Sequence, residues 1–341
     1  MYRNILIVKL SAIGDVIHAL PVVHALKTAN SACWITWIVE KAAYSLLENN
    51  PYIDEVILFD KKEFKSAAGL LKHLPALSKQ LKERHFDLAI DLQGLFKSAA
   101  ISYISGAKQR LVYCNAREGS QLIGKRICGT HSNGHVVERY LDVVRYLGCQ
   151  IKAPVFSIIF TETEIAKVEA VVRHSGLDIQ HSYVALAPGA NWPNKRWSME
   201  KFSALADQLY DKNLIPVLVG AASDKMLGEE IVSKAKIPPV NLIGRTTLKQ
   251  LAYVIRSAAA FVGGDTGPMH LAAAVGTPAV ALFGPTDPVR NGPYSSRSTV
   301  IRAGHGCDGC WKRTCPLAID CLDAITTEQV WKALTPYVSY Q

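Results

Sequence analysis

Asp265, Thr266, Gly267 and His270 share one stretch, Phe261-Val-Gly-Gly-Asp265-Thr-Gly-Pro-Met-His270, that reads as a buried strand running through glycines onto a helix. Thr266 stands where an N-cap is expected, and Pro268 lies in the first helical turn, where a missing N–H costs nothing. Such a turn offers N–H groups and the positive end of a helix dipole to a phosphate or diphosphate. Gly263 and Gly264 are expected to let the backbone turn without Cβ clashes. A second loop of the same kind, Lys9-Leu-Ser11-Ala-Ile-Gly14-Asp15, follows the first apolar run. Asp15 is either a carboxylate that stabilises a helix start or a general base that takes a proton from an acceptor hydroxyl.

The elements that must hold these loops alternate in period. Asn4–Leu10, Trp34–Val39, Asp54–Phe59 and Phe86–Leu92 read as strands, with Asp15–Ala29 a helix and further helical stretches between them. A Pro-containing connector at Cys149–Ser157 interrupts the pattern. The alternation then restarts. Tyr183–Ala187, Leu214–Gly220, Val240–Ile243, Ala259–Gly263 and Ala279–Phe283 read as strands, and Met199–Leu209, Lys225–Ala235, Leu248–Arg256 and Pro268–Val275 as helices. Repeated strand–helix alternation predicts an α/β protein of two doubly wound, Rossmann-like domains facing across a cleft, with ligands at the carboxyl ends of the strands. The expected division is 1–155, 156–325, and a C-terminal helical segment 326–341 that packs back toward the first domain. No G-x-G-x-x-G follows the first strand, which argues against a simple dinucleotide site.

The chain has 341 residues, 49% hydrophobic and 20% charged, as in a soluble globular protein long enough for two domains. The N-terminal apolar run is broken by Lys9 and Asp15, so neither a signal peptide nor a membrane anchor is expected, and a cytoplasmic protein is. A formal net charge of +9 favours an acidic partner. Without a basic block or an aromatic RNA motif, nucleic acid is disfavoured against phosphorylated small molecules and lipid headgroups. Of the 8 cysteines, Cys33, Cys114, Cys128 and Cys149 are scattered and read as small core residues. Cys307, Cys310, Cys315 and Cys321 have the spacing of one tetrahedral thiolate site, with a structural metal, reduced thiols and disulfides as the alternatives.

Ile7-Val-Lys-Leu-Ser-Ala-Ile-Gly-Asp-Val16, Pro188-Gly-Ala190 with Lys195-Arg-Trp197, and Gly264-Asp-Thr-Gly-Pro-Met-His270 resemble the bacterial heptosyltransferases of glycosyltransferase family 9. Asp91-Leu-Gln-Gly-Leu-Phe-Lys97-Ser and Phe283-Gly-Pro-Thr-Asp-Pro288 are similar to that family too, in the same order along the chain. The resemblance implies a GT-B fold and inverting transfer of L-glycero-D-manno-heptose from ADP-heptose to the Kdo/heptose inner core of lipopolysaccharide. It implies work at the cytoplasmic face of the inner membrane as a peripheral protein. Asp15 would be the general base and Lys195 the lysine on the diphosphate, against a reading of Lys195 as a solvated lysine before a packed Trp. Ser11, Gly14, Asn191, Asp265, Thr266, Gly267 and His270 would bind the donor.

Fixed N–H dipoles and a cation suffice to stabilise the leaving ADP, so no cofactor is expected for catalysis. Lys97, Arg117 and Arg139 match family positions on the acceptor side. Lys61, Lys62 and Lys65 are candidates on charge and a loop position alone, against a plain solvated charge run. The C-terminal cysteines resemble an iron-binding motif of related protein heptosyltransferases, which makes zinc or iron the candidate structural metal. Ala190 and Asn191 stand where hydroxyl residues contact phosphates in type I enzymes and look like the type II pattern. Ile35-Thr-Trp-Ile-Val-Glu40 looks like type I, so which heptose is added stays open. The alternatives are a family member with another nucleotide-sugar or a protein acceptor, a non-transferase nucleotide-binding α/β protein or a nucleotide-dependent oxidoreductase.

Overall fold

The structure is a computed structural model that describes residues 2–178, 182–307 and 309–338. It divides into two units, Met1–Ile159 and Phe160–Gln341. The first unit runs β1 (Asn4–Val8), α1 (Ile13–Ala29), β2 (Trp34–Glu40), α2 (Lys41–Tyr44), β3 (Glu55–Phe59), α3 (Ala67–Lys82), β4 (Leu88–Asp91), α4 (Phe96–Ile104), β5 (Gln109–Tyr113), β6 (Lys125–Ile127) and α5 (Val136–Tyr146). Its strands form one parallel sheet in the order β3-β2-β1-β4-β5-β6. Apart from Asn4 and Asp91 at their ends, β1 and β4 are apolar because both faces are covered: Leu6, Val8, Ile38 and Ala89 lie in one core with Leu77 and Leu81 of α3, and Ile5 and Ile7 are buried on the other face.

The second unit runs α6 (Glu162–His174), β7 (Tyr183–Ala187), α7 (Met199–Tyr210), β8 (Ile215–Leu218), α8 (Lys225–Lys234), β9 (Val240–Asn241), α9 (Leu248–Arg256), β10 (Ala260–Gly264), α10 (Gly267–Val275), β11 (Ala279–Phe283), α11 (Pro288–Asn291), β12 (Ser298–Arg302) and α12 (Thr327–Val338). Its sheet, also parallel, has the order β12-β11-β10-β7-β8-β9. This is the winding of the first sheet repeated. In each sheet the order reverses beside the first strand, between β1 and β4 and between β7 and β10. That reversal splays the two following loops and opens a crevice at the carboxyl ends of the strands. The four most informative sequence motifs are the loops after these four strands.

One reading from sequence is corrected. Cys114 and Cys128 are joined by a disulfide rather than packed as separate core thiols. They follow directly on β5 and β6, where Tyr113 pairs with Ile127, so the register brings the two side chains together. The short, polar β6 carries no strand pattern in the sequence, so this proximity was hidden there. Within the second unit α12 packs against α7, β10, β11 and β12. Val330 and Leu334 are fully buried in the core of the second unit, and Trp197 Nε1 donates to Ile325 O just before the helix. Residues 339–341 lie outside the described residues. Among the described residues no helix is long and apolar enough to cross a membrane.

Candidate active site

In the first unit the loop after β1 is pinned from the loop after β4. Gln93 Oε1 accepts from the N–H groups of both Leu10 and Ser11, each at 3.1 Å. The β4 loop is shaped in turn by Asp91. Its Oδ1 accepts from Gln93 and Gly94 N–H, and its Oδ2 accepts from the Ser98 hydroxyl. Burial pushes the Asp91 pKa up to about 6, against the lowering effect of those donors and of Lys9.

Asp15 lies in the first turn of α1, where an acidic residue suits the helix dipole. Its Oδ2 accepts from Ala12 N–H at 3.3 Å and lies 4.0 Å from Lys9 Nζ, and its side chain is 42% exposed. Helix stabilisation and a reactive role are thus compatible: one carboxylate oxygen serves the helix start while the group still reaches solvent. Lys9 is buried and donates to Leu92 O at 3.1 Å and Tyr140 Oη at 2.8 Å. Burial pulls its pKa below the usual lysine range, and the Asp15 and Asp91 charges oppose that.

The acceptor-side cations fall into separate groups. Lys61 and Lys97 both bond Glu40 at the end of β2, at 3.0 and 2.8 Å. Arg117 is exposed after β5, its N–H donates to Gly94 O, and its charge is felt at Lys9. Arg139 is mostly buried in α5, with Nε donating to Gly134 O at 2.8 Å. Lys62 and Lys65 are exposed.

In the second unit Lys195 and Asp265 join the loops after β7 and β10. Lys195 Nζ is 2.6 Å from Asp265 Oδ2, and His270 Nε2 is 3.4 Å from Oδ1. Burial alone would raise the Asp265 pKa. The His270 hydrogen bond and the charges of His270 and Lys195 outweigh it and hold the carboxyl well below its usual range. Thr266 is the N-cap of α10 by position, yet its side chain makes no capping hydrogen bond, so it does not cover the first-turn N–H groups. Gly267 opens the helix, and Pro268 follows it. The glycines act differently from the sequence reading. β10 continues in extended conformation through Gly264, and a Cβ there would stand 2.5 Å from Lys195 O. Gly264 is needed for the close approach of the lysine loop, not for a turn.

Trp192 flanks the lysine, with Lys195 Nζ 4.5 Å and Arg313 Cζ 5.4 Å from its ring centroid. Asn194 Nδ2 donates to Lys312 O at 2.7 Å, and Trp311 N–H donates to Pro285 O, so the cysteine-rich segment is fastened to this region. Asn191 is exposed at the loop's start.

The four cysteines do not assemble the expected thiolate site. Among the described residues no group of three or more His, Cys, Asp or Glu is placed to hold a metal ion. Cys307 and Cys310 are exposed and Cys321 is buried against Gly284. Cys321 and Cys315 share a side-chain hydrogen bond, and burial pushes the Cys321 thiol up, with the charges of Cys315, Cys310 and Cys307 adding to that.

The loops therefore gather Ser11, Gly14, Asp15, Lys61, Lys97 and Arg117 at the carboxyl edge of the first sheet. Lys195, Asp265, Thr266, Gly267 and His270 gather at that of the second. Sequence reasoning passed over Lys9, Glu40, Gln93 and Trp192. All but Trp192 lie inside quoted motifs, and a polar residue at the end of an apolar strand was the available signal.

Residues 74–319 match the family model described as glycosyltransferase family 9 (heptosyltransferase); the match begins after the Asp15 loop. The chain is 27% identical over 303 residues to lipopolysaccharide core heptosyltransferase OpsX of Haemophilus influenzae, covering 88% of this chain and 84% of that protein. It is 27% identical over 308 residues to lipopolysaccharide heptosyltransferase 2 of Escherichia coli, covering 88% of each. Among solved structures, a family 9 glycosyltransferase from Veillonella parvula superposes with a TM-score of 0.86 at 23% identity, covering 99% of this chain and 98% of that one. Escherichia coli ADP-heptose lipopolysaccharide heptosyltransferase II gives 0.79 at 25% identity, covering 98% of both chains. The paired sheets are those of the GT-B fold. The chain belongs to glycosyltransferase family 9, the heptosyltransferases.

Proposed function

We propose that this enzyme moves L-glycero-D-manno-heptose from ADP-heptose to the Kdo/heptose inner core of lipopolysaccharide, inverting the anomeric carbon, with Asp15 as general base. The observation that carries the reading is the occupancy of the two switch points. A half-exposed carboxylate stands at the first, and a lysine beside an uncapped helix N-terminus stands at the second. Asp15 takes the proton of the acceptor hydroxyl as that oxygen attacks the anomeric carbon, and ADP departs from the opposite face. Lys195 and the first-turn N–H groups of α10 stabilise the charge that develops on the diphosphate. Lys61, Lys97 and Arg117 bind the anionic groups of the acceptor. The relatives named for lipopolysaccharide core transfer support the donor and acceptor classes.

Because such an acceptor is anchored in lipid, the enzyme works at the cytoplasmic face of the inner membrane as a peripheral protein. The start of α3 supports this. In a strand–helix–strand unit the helix begins at the carboxyl edge of the sheet. There Leu70 and Leu71 are exposed beside Lys61, Lys62, Lys65 and Lys72, with Phe96 exposed at the start of α4. The test is heptose transfer from ADP-heptose to Kdo–lipid A by the wild type and by Asp15→Ala. Turnover should fall about 100- to 10,000-fold in the variant, with ADP binding kept. Near-wild-type turnover would remove Asp15 as base, and no transfer by the wild type would remove the reaction.

A further inference from the structure

Glu40 ends β2 and is almost wholly buried, at 6% exposure. Its backbone N–H donates to Leu10 O at 3.0 Å, which ties it to the strand end that leads into the Asp15 loop. Each carboxylate oxygen serves a different lysine. Oε1 accepts from Lys97 Nζ at 2.8 Å and Oε2 from Lys61 Nζ at 3.0 Å. The lysines reach it from different elements, Lys61 from just beyond β3 and Lys97 from the first turn of α4, where its Nζ also lies 6.0 Å from the Phe59 ring centroid. The carboxylate is inside while the ammonium groups are outside, with side chains 59% and 42% exposed.

Stability does not account for this arrangement. Two exposed lysines need no partner in water, and an exposed ion pair contributes about 0–1 kcal/mol. Burying the carboxylate carries a desolvation penalty that such pairs repay poorly. Burial pushes the Glu40 pKa up, and only the hydrogen bonds and charges of Lys97 and Lys61 bring it below its usual value. What the arrangement does achieve is order. Each ammonium has three donors, spends one on Glu40 and keeps two for solvent or a ligand. Long lysine side chains otherwise lose rotamer freedom on binding, so fixing them beforehand lowers the cost of engaging an anion. Two ammonium groups and one carboxylate leave a local charge of +1, matched to one carboxylate.

We propose that Glu40 is a positioning residue that holds Lys61 and Lys97 as a preformed pair of donors for the carboxylate of an acidic sugar in the acceptor. The proposal rests on the acceptor-side reading of those two lysines given above. Glu40 does not touch the acceptor and acts through the lysines. The test combines steady-state kinetics on Kdo–lipid A with direct calorimetric titration of Kdo monosaccharide. Glu40→Gln should raise the acceptor KM about tenfold, as for loss of one charge-assisted contact. Its kcat and ADP-heptose KM should stay within about twofold, which also shows that the variant is folded.

Glu40→Asp, one methylene shorter and able to hold one lysine, should fall between wild type and Glu40→Gln. In a Lys61→Gln/Lys97→Gln background the Glu40→Gln change should add less than about twofold, because the residue has nothing left to position. An unchanged acceptor KM in Glu40→Gln, or a full effect persisting without the lysines, overturns the proposal. So does Kdo binding that is absent in the wild type or equal in Glu40→Gln. Wild type that binds Kdo in a Glu40-dependent way yet transfers no heptose would sink the proposed reaction and leave the positioning role standing.

Discussion

The Lys195 ammonium rests 2.6 Å from Asp265 Oδ2 and so bridges the loops that follow β7 and β10. In the first sheet Gln93 bridges the loops after β1 and β4 at the same topological place. A charged bridge in one unit and a neutral one in the other fits the division of labour proposed for them. In that proposal the charged bridge would face the diphosphate, and the neutral one would hold the Asp15 loop without adding charge beside it.

Lys195→Ala should weaken ADP binding about 10- to 100-fold, as expected for the loss of a charge-assisted phosphate contact. It should also destabilise the second unit, because breaking a buried pair costs about 3–5 kcal/mol. Adding Asp265→Asn should recover part of the stability and none of the affinity. Calorimetric ADP titration and thermal melts separate the two effects, and unchanged affinity would make Lys195 a purely structural partner of Asp265.

Gly264→Ala is expected to act at a distance from its own side chain. The added methyl meets the Lys195 carbonyl at 2.5 Å, which is backbone and cannot swing aside. The lysine loop must retreat, with a stability cost of about 1–3 kcal/mol and a loss of ADP affinity of roughly tenfold. Wild-type ADP affinity in this variant would show that the position of that loop does not matter to the donor.

Asp91 should give the first unit a pH-dependent stability. Its pKa is raised to about 6 in the folded protein from the usual 3.8. Its stabilising contribution is therefore complete below about pH 4 and is lost as pH rises through about 6, on the order of 3 kcal/mol. Asp91→Asn cannot ionise, so urea unfolding should change less between pH 4 and pH 7 than in the wild type. Identical pH dependence in the two proteins would contradict the assignment.

Leu70→Ser with Leu71→Ser should reduce co-sedimentation with phosphatidylglycerol vesicles several-fold. Activity on a deacylated, water-soluble acceptor should be retained. Each lysine near an anionic surface contributes about 1 kcal/mol, so binding should also fall steeply with salt. Equal sedimentation of variant and wild type would move the membrane contact away from α3.

Much of the fold was legible because the buried strands of a parallel sheet are apolar runs closed by helices. Tyr183–Ala187, Leu248–Arg256 and Ala279–Phe283 have the same ends in sequence and structure. Strands lying toward the sheet edges were harder to see. Lys125–Ile127 and Ser298–Arg302 are short or polar and are held by backbone pairing with a neighbour rather than by their own pattern. The site showed the same division. Asp15 and Asp265 stood out as carboxylates at glycine-containing loops, and Lys195 only through the family resemblance. Glu40 and Gln93 act by joining loops distant in sequence, Glu40 to Lys61 and Lys97 and Gln93 to the Asp15 loop, and only the strand order brings those partners together. Thr266 had the right place and the wrong bond, since position sets the cap but local rotamers decide whether the side chain fills it.

Asn194 precedes Lys195 in the chain and holds the carbonyl of Lys312. The cysteine-rich segment is thereby leashed one residue away from the ammonium assigned to the donor. Residues 304–320 contain no helix or strand among those described, so a change of length there interrupts no regular element. A residue gained or lost there would pull on the Asn194–Lys312 bond and so on the neighbouring lysine, with Lys195, Asp265 and His270 themselves unchanged.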